Sequence, residues 1–294
     1  MLTRIDHVMI CVPELQAGID QYIKLGFNVY AGGVHTGKGT HNAIAFNEYD
    51  YLELLAIRDP VEYQAGRGSG WTDTLTEFIA AGGGIRYVII ESDDLAADVA
   101  AMRKRGVDVS DATPGSRRTP AGQELQWKLA VLGAGNALPL VFIQHLSPID
   151  VRRKQVPIAG DHPNGVYKLE RAYIVTHDAK AAAAMYAKVL GMPQPALHQG
   201  TVIKSNMAVF EIGPTGLGIA EPYEAGPASD ALERRGPGPF QALYRTTSMN
   251  AAASWTQAHG LPPLARGVRS TGEHAMLATP DVACGAYIGF VGPE

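Results

Sequence analysis

Four short apolar runs in this chain each lead, through an amphipathic stretch, to a glycine at one fixed distance. Gly26, Gly106, Gly191 and Gly260 lie 19 residues after His7, Tyr87, Ala172 and Gln241 respectively. Self-similarity of this kind marks a repeat architecture and constrains the fold more than any single motif. In the first unit, Arg4 to Val12 is dense in β-branched and apolar residues and is closed by Pro13, which predicts a strand. Leu15, Ile19, Tyr22 and Ile23 then form a helical apolar stripe over about Glu14 to Lys24, ended by Gly26. The other units repeat this order from Ile85, Ala172 and Gln241. Further strand-like runs follow each glycine, such as Ala43 to Phe46 and Tyr51 to Ile57 in the first unit. Each unit therefore reads as strand–helix–strand–strand–strand.

A single βαβββ unit cannot bury both its helix and its sheet face, so units are expected to pair. The predicted class is α+β, with four βαβββ modules pairing into two mixed-sheet domains. The first domain spans residues 1–150, with modules at 1–80 and 84–147. The second spans 165–294, with modules at 168–222 and 239–292. Between them lies a cluster of Pro148, Pro157, Gly160, Asp161, Pro163 and Asn164. Arg58 to Gly83, with Gly66, Gly68, Gly70 and Trp71, joins the modules of the first domain, and Tyr223 to Pro239 those of the second. A length of 294 residues agrees with two domains.

Within this frame two side chains stand out. His7 and Glu53 each occupy the middle of an apolar strand, where an ionisable group is costly without a partner. If the two strands share a face, an imidazole and a carboxylate converge as half of a divalent-metal site. The other reading is a hydrogen-bonded core histidine and a rim carboxylate.

Composition removes several function classes. A net charge of −4 and a pI near 6.1 provide no basic face for nucleic acid. No apolar run approaches the ~18 residues of a membrane helix, and the start of the chain lacks the pattern of a signal peptide, so a cytoplasmic protein is expected. Cys11 and Cys284 are too few and too far apart for a disulfide framework or a thiolate zinc site.

The repeated module, opening on Ile5-Asp6-His7-Val8 and closing on Tyr51-Leu52-Glu53-Leu54, resembles the vicinal oxygen chelate superfamily. The glyoxalase-like branch is the one that Gly32 to Asn42, Arg118-Thr119-Pro120-Ala121-Gly122 and Leu138 to Gln144 resemble. The branch resemblance covers about residues 1–150. It implies paired modules curled into a cup, with metal ligands on the first and last strand of each. Carried onto this chain, those positions are His7, Glu53, Tyr87 and Gln144. Tyr87 departs from the pattern, because a phenol with a pKa near 10 is a poor ligand at neutral pH. The implied set is His7, Glu53 and the amide oxygen of Gln144, suited to Zn, Ni, Mn or Fe. If the register is off by one, His145 replaces Gln144. In the second half the matching positions are Ala172, a strand end near Glu221, Gln241 and Tyr287 to Phe290, which reads as a degenerate pair shaping the first. The missing histidines there argue against an extradiol dioxygenase.

Other residues carry two readings. His35 and His41 lie in a glycine-rich loop that either contacts substrate at the cup mouth or is solvated. Trp127 is a core residue or a substrate contact. Arg117 and Arg118 clamp an anion or sit in solvent, and His162 reaches over the cup or faces water. His177 with Asp178 resembles a helix cap.

Two functions follow. The first is a metal-dependent lyase or isomerase acting on a small substrate with adjacent oxygens. Metal is held by His7 and Glu53, a proton is moved by Glu53, His41 or His145, and His35, Tyr87 and Trp127 are substrate contacts. The alternative is a metal-free protein that sequesters a small molecule, in the manner of bleomycin-resistance proteins. Either as a monomer or as a homodimer, the expected partner is a small molecule, with neither nucleic acid nor membrane.

Overall fold

The computed structural model describes residues 1–35, 37–66, 74–136, 138–154, 156 and 160–294. Gly68, Gly70, Trp71 and Pro157, read above as joint residues, lie outside the described residues. In chain order the first half comprises β1 (Leu2–Cys11), α1 (Leu15–Lys24), β2 (Tyr30–His35), β3 (Thr40–Phe46), β4 (Tyr51–Ile57), α2 (Pro60–Ala65), α3 (Leu75–Ala80), β5 (Gly84–Ser92), α4 (Leu95–Lys104), β6 (Thr113–Arg118), β7 (Glu124–Val131) and β8 (Leu140–His145). A short helix α5 (Ile149–Arg153) leads to the second half. There follow β9 (Val166–Val175), α6 (Ala179–Leu190), β10 (His198–Gly200), β11 (Ser205–Ile212), β12 (Thr215–Pro222), α7 (Pro227–Arg235), β13 (Gly238–Thr246), α8 (Met249–Ala258), β14 (Ala265–Val268), β15 (His274–Ala278) and β16 (Tyr287–Val291). The βαβββ unit is present four times, so the class is α+β. Among the described residues no helix is long and apolar enough to cross a membrane.

The first eight strands close into a barrel in the order β1-β4-β3-β2-β6-β7-β8-β5, and the other eight form a sheet ordered β10-β11-β12-β9-β13-β16-β15-β14. Each module contributes four adjacent strands, joined to its partner by an antiparallel pair of first strands, β1 with β5 and β9 with β13. Strand alternation gives each sheet two faces. On β1, Val8 and Ile10 belong to a cluster that also holds Tyr186, Phe210, Tyr244 and Phe290 of the second half. The helix-side faces of both sheets thus share one apolar core. Helix contacts tie it together: Trp255 Nε1 donates to Ile23 O at 2.9 Å, and Arg105 Nε donates to Lys188 O at 2.7 Å. The opposite, concave faces stay separate, one carrying Met9, Cys11, Leu55 and Ile89, the other Tyr173, Phe240, Leu243 and Tyr287.

Helix caps show which residues are equivalent. Glu14, Asp94, Asp178 and Ser248 each cap the helix of their module with a side-chain oxygen bound to backbone N–H groups. Seven residues before each cap stand His7, Tyr87, Arg171 and Gln241. The third member differs from the sequence expectation: Ala172 faces the shared core, and Arg171 takes the position of His7. Between cap and glycine, α6 has one residue more than the other three, so counting back from Gly191 lands one residue late.

Candidate active site

His7 and Glu53 enter the barrel from neighbouring strands. β1 and β4 run parallel with His7 opposite Tyr51 and Met9 opposite Glu53, so both side chains point to the concave face. His7 Nε2 stands 3.4 Å from Glu53 Oε2, with both residues about 95% buried. Each is held from behind. Asp6 Oδ2 lies 2.8 Å from His7 Nδ1, and Asn42 Nδ2 donates to Glu53 Oε1 at 2.6 Å. The imidazole also stacks on Tyr51, with centroids 4.2 Å apart.

Asp6 reaches this position because the strand is irregular there. The pairing of β1 with β5 slips between Ile5 and His7, making Asp6 the extra residue of a β-bulge. Its carboxylate, fully buried, also meets His145 Nε2 at 3.1 Å. Burial alone would raise the pKa of Asp6, but the charges and hydrogen bonds of His145 and His7 hold it well below the usual carboxylate range. Burial likewise works against both members of the central pair. Hydrogen bonds and charges from Asp6 and Glu53 nevertheless raise His7, and those from His7 lower Glu53.

A cavity of 470 Å³ opens onto this pair, walled by Phe46, Trp127, Leu129 and Ile143. Lys38, Arg117, Arg118 and Arg152 place cations around it, against Glu53 and Glu124. Arg117, buried, donates through Nη1 to Gly32 O. His35 also lines the cavity, its Nδ1 3.0 Å from Thr40 Oγ1, and burial pulls its pKa down to about 4. It is therefore a neutral imidazole at neutral pH.

The other expected residues are placed as follows. Trp127 faces the cavity and lies flat on Gly115, where a Cβ would come within 2.3 Å of its Nε1. Opposite Trp127 across β7 and β8 stands His145, so His145 takes the inner face and Gln144 the outer. Gln144 is spent on α4, accepting from Leu95 N at 3.3 Å and donating to Asp93 O at 2.9 Å. His145, not Gln144, thus faces inward, where it is engaged with Asp6. His41 shares the parity of Ala43 and Ala45 on the helix-side face, near Glu14 and Arg58, and does not reach the cavity. Tyr87 packs deeper in the barrel beside Met9 and Cys11, with the Arg86 guanidinium 5.2 Å from its ring centroid. Val141, opposite Ile89, occupies the place of Glu53 in the second module. Sequence reasoning missed Asp6, Asn42 and Arg152. For Asp6 there was a signal, a carboxylate beside a histidine inside an apolar run.

These residues can be tested for a metal. At ligand distances near 2.1 Å and a tetrahedral angle, two donors stand about 3.4 Å apart, which matches the His7–Glu53 separation. The Asp6 contact on Nδ1 leaves Nε2 as the free donor, as a ligating histidine requires. The pair fits a divalent ion with two protein ligands, since Tyr87 and Val141 add none. A second group, Asp6, Glu91 and His145, also brings ligand atoms within 4.8 Å of one another. There Arg4 Nη2 lies 2.6 Å from Glu91, and Arg152 lies 3.7 Å from Asp6 and 3.8 Å from Glu91. Two guanidiniums already neutralise those carboxylates, so this group reads as an ion-pair network.

No curated protein matches the chain. Among solved structures, a hypothetical protein from Staphylococcus aureus is 12% identical, with a TM-score of 0.66 over 98% of each chain. A mutant 4-hydroxymandelate synthase from Streptomyces coelicolor is also 12% identical, with a TM-score of 0.66 over 100% of this chain and 94% of that one. Both likenesses concern the fold. The family model of the glyoxalase-like domain matches residues 5–190, a stretch that includes the barrel from Ile5 onward and every residue of the His7–Glu53 site, and the chain belongs to that family.

Proposed function

We propose that the barrel is the active site of a metal-dependent lyase or isomerase acting on a small, anionic substrate with adjacent oxygens. The observation that carries this reading is the buried His7–Glu53 pair, 3.4 Å apart and braced by Asp6 and Asn42, on the wall of a 470 Å³ cavity. A divalent ion there would act as a Lewis acid toward a developing enolate or alkoxide. Asp6 holds the His7 ring in one tautomer and orientation, and Asn42 does the same for the Glu53 carboxylate. Lys38 and Arg118 suit a carboxylate on the substrate, and His35 offers a neutral imidazole beside it.

The test is elemental analysis of purified protein, with melting curves in Zn²⁺, Ni²⁺, Mn²⁺ and Fe²⁺ for wild type, His7→Ala and Glu53→Ala. Saturating the folded state at a hundred times the dissociation constant stabilises it by about 2.7 kcal/mol. Near-stoichiometric metal in the wild type, lost in both variants, supports the reading and directs a screen of 2-hydroxy carbonyl compounds. If the wild type holds no metal and no ion moves its melting, the Lewis-acid reaction is excluded. The cavity is then a small-molecule binding pocket.

A further inference from the structure

The second sheet has a cavity of its own, 390 Å³ in volume, on the concave face of β9 and β13. Its design follows from the repeat. Arg171 and Gln241 occupy the two positions that His7 and Tyr87 hold in the barrel. Tyr173 pairs with Gly218 and Leu243 with Gly289, as Met9 pairs with Glu53, so both counterparts of Glu53 are glycine. A guanidinium and two glycines offer no ligand atom, and the single amide oxygen that remains does not make a metal site.

The glycines instead clear the floor. A Cβ on Gly218 would lie 2.5 Å from the Tyr173 ring, and one on Gly289 would lie 2.7 Å from Gln241 Nε2. Gln241 is 97% buried and lines the cavity, yet its Oε1 makes no hydrogen bond with any described residue. A buried acceptor left unpaired is destabilising unless a ligand supplies its donor. Arg171 gives Nη2 to Glu211 at 3.2 Å and leaves its buried Nε without an acceptor. Because Gln241 pairs with Tyr173 and Leu243 with Arg171, these two groups are diagonal neighbours on one face. One presents an open acceptor and the other an open donor.

The remaining charges cancel. Glu170 bridges Arg245 at 2.6 Å and Arg269 at 2.8 Å, and Glu273 closes the ring with 3.0 Å and 2.8 Å contacts to the same two arginines. With Arg171 and Glu211 the lining holds three guanidiniums against three carboxylates. Tyr173, Met207, Val209 and Leu243 supply an apolar wall. We propose that this second cavity is a metal-free binding site for a small neutral molecule bearing a carboxamide-like edge on an apolar body. Its carbonyl oxygen accepts from Arg171 Nε and its N–H donates to Gln241 Oε1.

The test uses benzamide, with acetophenone and benzoate as controls, on the full chain carrying ¹³C-methyl methionine. Met207 reports this cavity, and Met9 reports the barrel. The expected result is a saturable benzamide shift at Met207. Acetophenone, lacking the N–H, and benzoate, lacking it and charged, bind at least tenfold more weakly. Gln241→Leu reduces benzamide to the acetophenone level, while His7→Ala leaves the benzamide-induced shift at Met207 unchanged. Equal binding of benzamide and acetophenone, or no saturable shift up to about 20 mM, overturns the proposal. Should Gln241→Leu not fold, the wild-type preference decides alone.

Discussion

Asp50 makes the stability of this protein depend on pH in an unusual direction. It lies at the start of β4, 96% buried, where Oδ1 accepts from Asn47 Nδ2 at 2.6 Å and from the backbone N–H of Leu169 in β9 at 2.9 Å. It therefore joins the barrel to the second sheet. Burial pushes its pKa up to about 7, against which the two hydrogen bonds work only partly. The fold thus favours the protonated carboxyl, and between pH 4 and 7 the native state binds a proton that the unfolded chain has released. Stability from this group is full below the unfolded pKa and declines by about 1.4 kcal/mol per pH unit as pH rises to 7, roughly 4 kcal/mol in all. Asp50→Asn keeps the Oδ1 acceptor and cannot ionise. Urea unfolding of both proteins at pH 5, 6, 7 and 8 isolates the effect, because other titrating groups cancel in the difference. The variant is expected to gain about 3 kcal/mol on the wild type between pH 5 and 8. A difference that stays flat over that range would show Asp50 ionised in the fold and refute the argument.

His162 should act with the opposite sign. Its Nδ1 accepts from Asn28 N–H at 3.0 Å and its Nε2 donates to Asn47 Oδ1 at 2.9 Å, which requires the neutral ring, and burial lowers its pKa to about 4. Its contribution is present above pH 6.5 and disappears as pH falls toward 4, and His162→Asn should flatten that acid limb in urea titrations. Asp6→Asn removes the charge facing two histidines and two arginines, and should cost about 3–5 kcal/mol in the same assay. Gly115→Ala drives a methyl into Trp127, and should shift the emission of that tryptophan and destabilise by roughly 1–3 kcal/mol. Gln144→Ala should lower stability by about 1 kcal/mol through the freed α4 N-terminus, leaving any metal-induced melting shift as in the wild type.

The repeat was legible because a left-handed residue ends each helix: Gly26, Gly106, Gly191 and Gly260 all have φ between 69° and 88°. What escaped was parity. His145 and Gln144 are neighbours, and only the pairing of Trp127 with His145 across β7 and β8 decides which faces inward. His41 misled in the same way, since its glycine-rich surroundings suggest a mouth loop whereas β3 turns it outward with Ala43. Asp6 shows a further limit. Alternation along β1 assigns Asp6 and His7 to opposite faces, but the bulge breaks alternation at that residue and brings both to one site. Periodicity describes regular strands, and this site depends on an irregular one.

The four modules also show how one architecture supports different chemistry. Each carries an inward residue seven positions before its helix cap and another on its last strand. The first module fills these with His7 and Glu53, the second with Tyr87 and Val141, the third with Arg171 and Gly218, and the fourth with Gln241 and Gly289. Only the first combination offers two ligand atoms to a cation. In the third, a fixed guanidinium stands where the imidazole would be, and its charge repels a metal ion from the same space. The glycines lower the sheet surface by a side-chain layer, so a polar side chain can lie flat where a carboxylate would otherwise stand. The pair of potential ligand atoms in one cup and the lack of such a pair in the other therefore follow from substitutions at two positions per module, while the shared apolar core remains the same.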